Sequence, residues 1–392
     1  MQYRRFGSID FQVSALGFGC MRLPTTDRKP MSKKIDEKRA TRMIRHAIDK
    51  GVNYVDNAYP YHGGKSEAFL GKALRDGYRD KVRLATKCPV WLMKRPSDFD
   101  KYLDQQLKRL RTDTIDFYLF HALHEKAWKN KIVKLKLLDR AERAIDAGKI
   151  GHIGFSFHDT YKVFKEIVDG YDGWEFCQIQ YNYLDTVNQA GTKGLRYAAS
   201  KGLGVIIMEP LLGGRLATPP KSVKTMFDSA KLESTPADLA LQWLWNQPEV
   251  SVVLSGMSTL AQVNGNLVSA DSSGVGSMSA KELKLVERMK RRYEALSPIP
   301  CTKCAYCMPC PHGVSIPGIF EVYIDGIVND DLKTARRSYN RFIGEKARAS
   351  NCKQCRKCEK KCPQKIKISE WMPELHRVLG EGRAPSKAAR RR

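Results

Sequence analysis

Eight of the eleven cysteines lie between Cys301 and Cys362, in two short runs. The first run, CTKCAYCMPCP, holds Cys301, Cys304, Cys307 and Cys310; the second, CKQCRKCEKKCP, holds Cys352, Cys355, Cys358 and Cys362. Three thiolates in adjacent turns wrap one face of an iron–sulfur cube, and a more distant cysteine closes the fourth iron. Zinc also accepts sites of four cysteines, but two C-x2-C pairs are enough for it. Two runs of four therefore point to two [4Fe–4S] clusters. A secreted disulfide scaffold does not confine its cysteines to the tail of a large chain, so this usage suits a reducing compartment. Cys20, Cys88 and Cys177 stand alone.

The rest of the chain alternates short apolar runs with amphipathic segments. The runs are ALGFGCM, NYVDNA, VRLATK, IDFYLFHA, HIGFSF, FCQIQYN, VIIMEP and VSVVLSG, each of strand length and rich in β-branched or aromatic residues. Between them lie helical patterns such as DEKRATRMIRHAIDK, PSDFDKYLDQQLKRL and TPADLALQWLWNQ, the last two with Ser97 and Thr235 as expected N-caps. Eight strand–helix units predict an α/β fold, a (β/α)8 TIM barrel. A doubly wound sheet would show a Gly-rich phosphate loop after its first strand, and none is present. The opening QYRRFGSIDFQVS reads as a hairpin around Gly7 that closes the barrel's bottom. Polar residues break the apolar runs at the C-terminal ends of strands, where such barrels place their chemistry. Asp56, Lys87 and His121 end the second, third and fourth strands, and Tyr61 lies in the loop after Asp56.

The stretch GVNYVDNAYPYHGGKSE resembles the aldo-keto reductase pattern of Asp, Tyr five residues on, then Gly and Ser-Glu. LATK and DFYLFHA are similar to the strands that carry that family's Lys and His, and the likeness runs over about residues 2–270. The resemblance implies that Asp56, Tyr61, Lys87 and His121 are the catalytic group of a nicotinamide-dependent oxidoreductase acting on a carbonyl or an alcohol. Reducing a carbonyl requires hydride at carbon, which nicotinamide supplies, and a proton at oxygen. A phenol is a weak acid near neutrality, and an ammonium beside it is expected to lower its pKa. Lys87 takes that role, held charged by Asp56, while His121 orients the carbonyl or relays the proton.

Cofactor residues follow from the same resemblance. Ser156 and Gln178 match the residues that hold the nicotinamide carboxamide, and Gly256, Ser258, Gln262 and Asn266 match the adenosine-side segment. The usual Asn after Ser156 is Phe157, the usual stacking aromatic after the seventh strand is Met208, and the arginines that grip a 2′-phosphate are missing. NADP or NAD is expected, with modest discrimination between them. Lys221 and Lys224, read as part of the loop after the seventh strand, are the first candidates for any missing clamp. These departures also leave room for a flavin, although no flavin motif is present.

The second cysteine run has the bacterial ferredoxin spacing C-x2-C-x2-C-x3-C-P, and the first is one residue shorter before its last Cys. VSIPGIFEVYIDGIV and DLKTARRSYNRFIGEKA between the runs have helical periodicity, so the tail resembles a helical dicluster ferredoxin-like domain. That resemblance implies crossing, with Cys301, Cys304 and Cys307 sharing a cluster with Cys362, and Cys352, Cys355 and Cys358 sharing one with Cys310. Pro311 and Pro363 are expected to turn the chain away after each run. The expected organisation is a barrel over 1–275, a linking helix over 276–299, the cluster domain over 300–378 and a basic tail over 379–392.

A 392-residue chain with 42% hydrophobic residues can bury a large core, which excludes a disordered chain. The net charge of +26 raises nucleic-acid or membrane-surface binding. The charge is scattered, however, and no aromatic-interleaved basic motif stands out, so neither nucleic acid nor membrane is an expected partner. The closing SKAARRR reads as a solvated tail. No apolar run is long enough to cross a membrane, and the first residues lack a signal-peptide stretch. A cytoplasmic location is expected. The expected partners are a small carbonyl or alcohol substrate and a small acidic electron carrier. Hydride transfer moves two electrons and a [4Fe–4S] cluster moves one. That mismatch sustains an alternative, an electron-transfer protein whose barrel binds a flavin or a partner.

Overall fold

The computed structural model describes residues 1–301, 307–362 and 364–386. They form two compact units, Met1–Ala217 with Ala237–Ala280, and Thr218–Pro236 with Lys281 onward.

The first unit opens with a hairpin, β1 (Tyr3–Phe6) and β2 (Ile9–Ser14). Eight strands follow: β3 (Leu16–Gly19), β4 (Tyr54–Asp56), β5 (Arg83–Cys88), β6 (Ile115–Leu123), β7 (Ile150–Phe157), β8 (Phe176–Gln180), β9 (Gly204–Met208) and β10 (Val252–Ser255). They close as a parallel barrel in the order β10-β3-β4-β5-β6-β7-β8-β9, so all eight expected strands form. Each strand is buried on both faces, which is why each reads as a nearly continuous apolar run. Tyr54, Ala85, Phe117, Leu119, Phe176, Ile206 and Val252 pack together with the hairpin's Phe6 and Ile9 as an inner layer. Their alternate neighbours Val55, Leu84, Tyr118, Phe120, Cys177, Ile207 and Val253 join the larger core that includes the helices. The hairpin plugs the barrel as expected. The Phe6 ring meets Phe117 edge-on at 5.0 Å, and it occupies the space where a Cβ on Gly204 would stand, 2.7 Å from its ring.

The helices follow their apolar spacing. In Glu37–Asp49 the buried residues are Ala40, Met43, Ile44, Ala47 and Ile48, one stripe of a 3.6-residue period, and Asp36 caps the helix through Arg39 N–H. Ser97 does not cap the helix Asp98–Leu110; it is already in helical backbone, and Asp98 instead accepts from the N–H groups of Lys94 and Arg95. Lys221 and Lys224 lie on a helix, Lys221–Ser229, rather than in an open loop, and Lys224 pairs with Asp228 at 2.8 Å.

The second unit is helical. Ile316–Val328 and Leu332–Phe342 confirm the two helical patterns between the cysteine runs. Ile319, Phe320, Tyr323, Ala335 and Tyr339 from these helices share a core with Met372, Leu375 and Val378. The helix Ala280–Leu296, expected as a linker, counts with this unit from Lys281 onward. Among the described residues, no helix is long and apolar enough to cross a membrane. Cys304, Pro363 and the tail from Lys387 lie outside the described residues.

Candidate active site

Side chains on a strand alternate faces with a period of two. Tyr54, Ala85, Leu119, Phe176 and Ile206 face the barrel's interior. One step further along the same strands stand Asp56, Lys87, His121, Gln178 and Met208. The period that fills the barrel with apolar side chains therefore delivers a ring of functional groups at its C-terminal mouth. A cavity of about 510 Å³ opens there. Asp56, Tyr61, Lys87, His121, Ser156, Gln178, Met208, Gly256, Ser258, Gln262 and Asn266 all line it. Met21, Arg22, His158 and Glu209 line it too, and sequence reading did not single them out. A change in strand register between Phe120 and Leu123, with a left-handed backbone at Ala122, turns the chain at His121. Ser156 Oγ secures this turn by accepting from Ala122 N–H at 2.8 Å, and its own proton stays available to a ligand.

Lys87 is the most constrained group. Its Nζ donates to both Asp56 carboxylate oxygens at 2.7 Å and to the Asn57 carbonyl at 2.8 Å. Burial alone would lower the Lys87 pKa, but Asp56 and then Tyr61 outweigh it and the ammonium is held above its ordinary value. Nζ stands 5.2 Å from the centre of the Tyr61 ring. The expected lowering of the Tyr61 pKa is not the net result. Burial raises it, Lys87 pulls it down, and burial prevails, so the phenol is protonated at neutral pH. His121 is pushed well below its ordinary value by burial, then by Lys87, which makes it a neutral imidazole.

Tyr61 opens a tight turn, Tyr61–Gly64, whose Gly63 and Gly64 take left-handed backbone at no steric cost. His62 takes it as well, and its Nδ1 is 2.8 Å from the Ser32 carbonyl. A buried polar network stands behind Lys87. Glu67 accepts from Thr86 Oγ1 at 2.9 Å, from Gln106 Nε2 and from Arg109 Nη1 at 3.1 Å. Gln106 also donates to the Lys87 carbonyl at 3.1 Å and accepts from Tyr118 OH at 2.7 Å. The tie between Glu67, Gln106 and the strand carrying Lys87 was not legible in the sequence.

The expected nucleotide residues differ in what they have free. Gln178 Oε1 and His121 Nδ1 are buried without a hydrogen-bond partner, so both offer a bond to a ligand. An amide acceptor of this kind fits the carboxamide of a nicotinamide. Gln262 closes a capping box on the helix Leu260–Asp271 through Oε1, which leaves its Nε2. Asn266 donates to Ser255 Oγ at 2.8 Å, and Ser258 Oγ donates to the Arg22 carbonyl at 2.7 Å. Phe157 packs against Phe164 at 5.0 Å and does not line the cavity.

In the second unit Cys358 and Cys362 are buried in the core, and Cys301, Cys307, Cys310 and Cys352 pack against it. The Cys352 thiol is held above its ordinary value by burial, and by the nearby Cys310 and Cys355 thiols. Cys358 is pushed up to about 11, first by burial, with Cys352 and Cys310 contributing. Thiols of both runs therefore lie near one another, and Cys307 lines one cavity with Cys358. Cys310, Cys352, Cys355, Cys358 and Cys362 form no disulfide, and a set of thiols at this spacing fits iron. Among the described residues, no group of three or more His, Cys, Asp or Glu forms a single-ion site.

A sequence model described as aldo/keto reductase family matches residues 15–284, and one described as a 4Fe-4S dicluster domain matches residues 300–367. The chain is 32% identical over 165 residues to aldo-keto reductase YhdN of Bacillus subtilis, covering 40% of this chain and 47% of that protein. It is 24% identical over 300 residues to a probable aldo-keto reductase 1 of Glycine max, covering 67% of this chain and 82% of that one. The match thus spans about half the length of the Bacillus relative. Among solved structures, the holo form of aldo-keto reductase AKR11C1 from Bacillus halodurans superimposes with a TM-score of 0.61 at 25% identity, covering 74% of this chain and 96% of that one.

Proposed function

The chain belongs to the aldo/keto reductase family and carries a 4Fe-4S dicluster domain over residues 300–367, and we propose that its barrel cleft reduces a carbonyl, or oxidises the matching alcohol, with a nicotinamide nucleotide. The observation that carries this reading is the Lys87 ammonium, fixed by Asp56 and the Asn57 carbonyl beside a protonated Tyr61. When bound, the nucleotide supplies hydride.

Tyr61 holds the proton that the carbonyl oxygen needs. As the proton leaves, negative charge grows on the phenol oxygen next to Lys87, and that attraction is strong in a site shielded from water. Asp56 keeps Lys87 charged and stops it from swinging away. His121, neutral and with Nδ1 unpartnered, hydrogen-bonds the substrate oxygen. Gln178 and Ser156 orient the carboxamide of the nicotinamide.

The two clusters would be held by Cys301, Cys304, Cys307 and Cys362, and by Cys352, Cys355, Cys358 and Cys310. They supply one-electron chemistry. Lys357, Lys360 and Lys361 line a cavity of about 380 Å³ with Cys307 and Cys358, a basic face that suits a small acidic electron carrier.

Tyr61→Phe tests the barrel reading. Carbonyl reduction should fall by about 10²-fold or more, while nucleotide affinity stays nearly unchanged. Turnover close to wild type in a correctly folded variant would remove Tyr61 as the acid.

A further inference from the structure

The loop that follows β3 carries a second cavity, of about 440 Å³. Arg22, Arg28, Lys29, Arg39 and Ser258 line it, and no carboxylate does. Arg22 and Ser258 also line the barrel cavity, so the two spaces share a wall. Arg22, Arg28 and Lys29 make no ion pair among the described residues. Arg39 has only a long contact to Asp36, 3.9 Å. The acidic groups of the same segment are engaged locally: Asp27 accepts from Lys29 N–H and Ser32 OH, and Asp36 caps a helix. Unpaired cations around a hollow favour a multiply charged anion.

Arg22 reaches across the rim of the cleft. A Cβ at Gly256 would lie 3.1 Å from its Cγ, and a Cβ at Gly213 would lie 3.3 Å from its Nη2. The missing side chains at these two glycines leave the room through which the guanidinium extends. The hydroxyl of Ser258 donates to the Arg22 carbonyl, so the two loops are tied at the boundary between the cavities.

We propose that this basic pocket takes the phosphate monoester of a ligand whose remainder lies in the barrel cleft. Resting on the nicotinamide reading above, that group is the 2′-phosphate of NADP. Arg22, Arg28 and Lys29 from the loop after the first barrel strand, with Arg39 from the helix that follows, then form the clamp that the loop after the last strand lacks. The pocket is thus a determinant of nucleotide choice, and it lies apart from Tyr61 and Lys87.

The test is calorimetric titration of the full-length protein with NADPH, NADH, adenosine 2′,5′-bisphosphate and 5′-AMP. The 2′-phosphorylated member of each pair should bind at least about 10-fold more tightly, as expected for charge-assisted bonds to phosphate. Arg28→Ala/Arg39→Ala should erase most of that preference and leave NADH affinity as it was. Arg22→Ala should weaken NADPH more than NADH. Equal affinity of wild type for NADPH and NADH would overturn the proposal and leave the nicotinamide reading standing. Binding of neither nucleotide would overturn both. Inorganic phosphate that displaces neither compound yet binds the same arginines would mark an independent anion site, which also overturns the proposal.

Discussion

Lys87 Nζ sits 2.7 Å from each carboxylate oxygen of Asp56, and neither side chain is more than 3% exposed. A charge pair so far from water is held by its geometry, and each partner alone would be a buried, uncompensated charge. Asp56→Ala should therefore destabilise the barrel by about 3–5 kcal/mol, read from the urea midpoint at constant slope. Adding Lys87→Met should recover most of the loss. Additive losses in the double variant would mean that the two groups do not act as a pair.

The pH profile follows from two shifts in opposite directions. His121 is held below its ordinary value, so its imidazole is neutral across the neutral range, and Tyr61 is held above its own, so its phenol is protonated there. The rate of carbonyl reduction should stay level from about pH 6 to pH 9 and fall only as Tyr61 ionises, above about pH 10. Stability should move the other way. Below about pH 6.5 the unfolded chain binds a proton at His121 that the native state refuses, so stability falls as pH falls. An acidic limb near pH 6.5 in the rate that disappears in His121→Asn would show a charged imidazole in turnover.

Gln106 connects the backbone of Lys87 with two other buried groups, Glu67 and Tyr118. Gln106→Ala should leave the Tyr118 hydroxyl and the Lys87 carbonyl without their partner, at about 1–3 kcal/mol for each orphaned group. Because the strand that aims Lys87 loosens, kcat should fall while the KM for nucleotide changes little. Wild-type stability in this variant would show that water replaces the amide.

Cys310 belongs by sequence to the first run, yet its thiol is near Cys352 and Cys358. Metal analysis should find about eight irons per chain, four per cluster. Cys310→Ser should perturb the cluster held by the second run and largely spare the other, as read by electron paramagnetic resonance of the reduced protein. Damage confined to the first-run cluster would show two self-contained sites.

Asp56, Lys87 and His121 could be read as site residues because each ends a short apolar run, which is a local signal, and Gln178 through the family resemblance. A residue two positions beyond an inward apolar side chain faces the same way, whatever the rest of the chain does. The cysteine runs were legible for the same reason, since ligand spacing within a run depends on a few adjacent bonds. Ser97 shows where local signals stop. It has the chemistry of a cap, but Asp98 made the competing bonds to Lys94 and Arg95.

Other properties depended on groups far apart in sequence. The net direction of the Tyr61 pKa is a contest between burial and Lys87, and burial is set by everything packed around the phenol. The cations beside the cleft carry no local signal, because Arg22, Arg28, Lys29 and Arg39 come to line one cavity with Ser258 only in the folded chain. Arg22 meets Ser258 only because barrel closure pairs β10 with β3, bringing together residues 236 positions apart. Sequence alone determined which polar residues end the barrel's strands and which thiols are spaced for iron, because both follow from a few consecutive residues. Only the tertiary structure decided the protonation of the phenol and the neighbours of Arg22, because burial and barrel closure are properties of the whole packed chain.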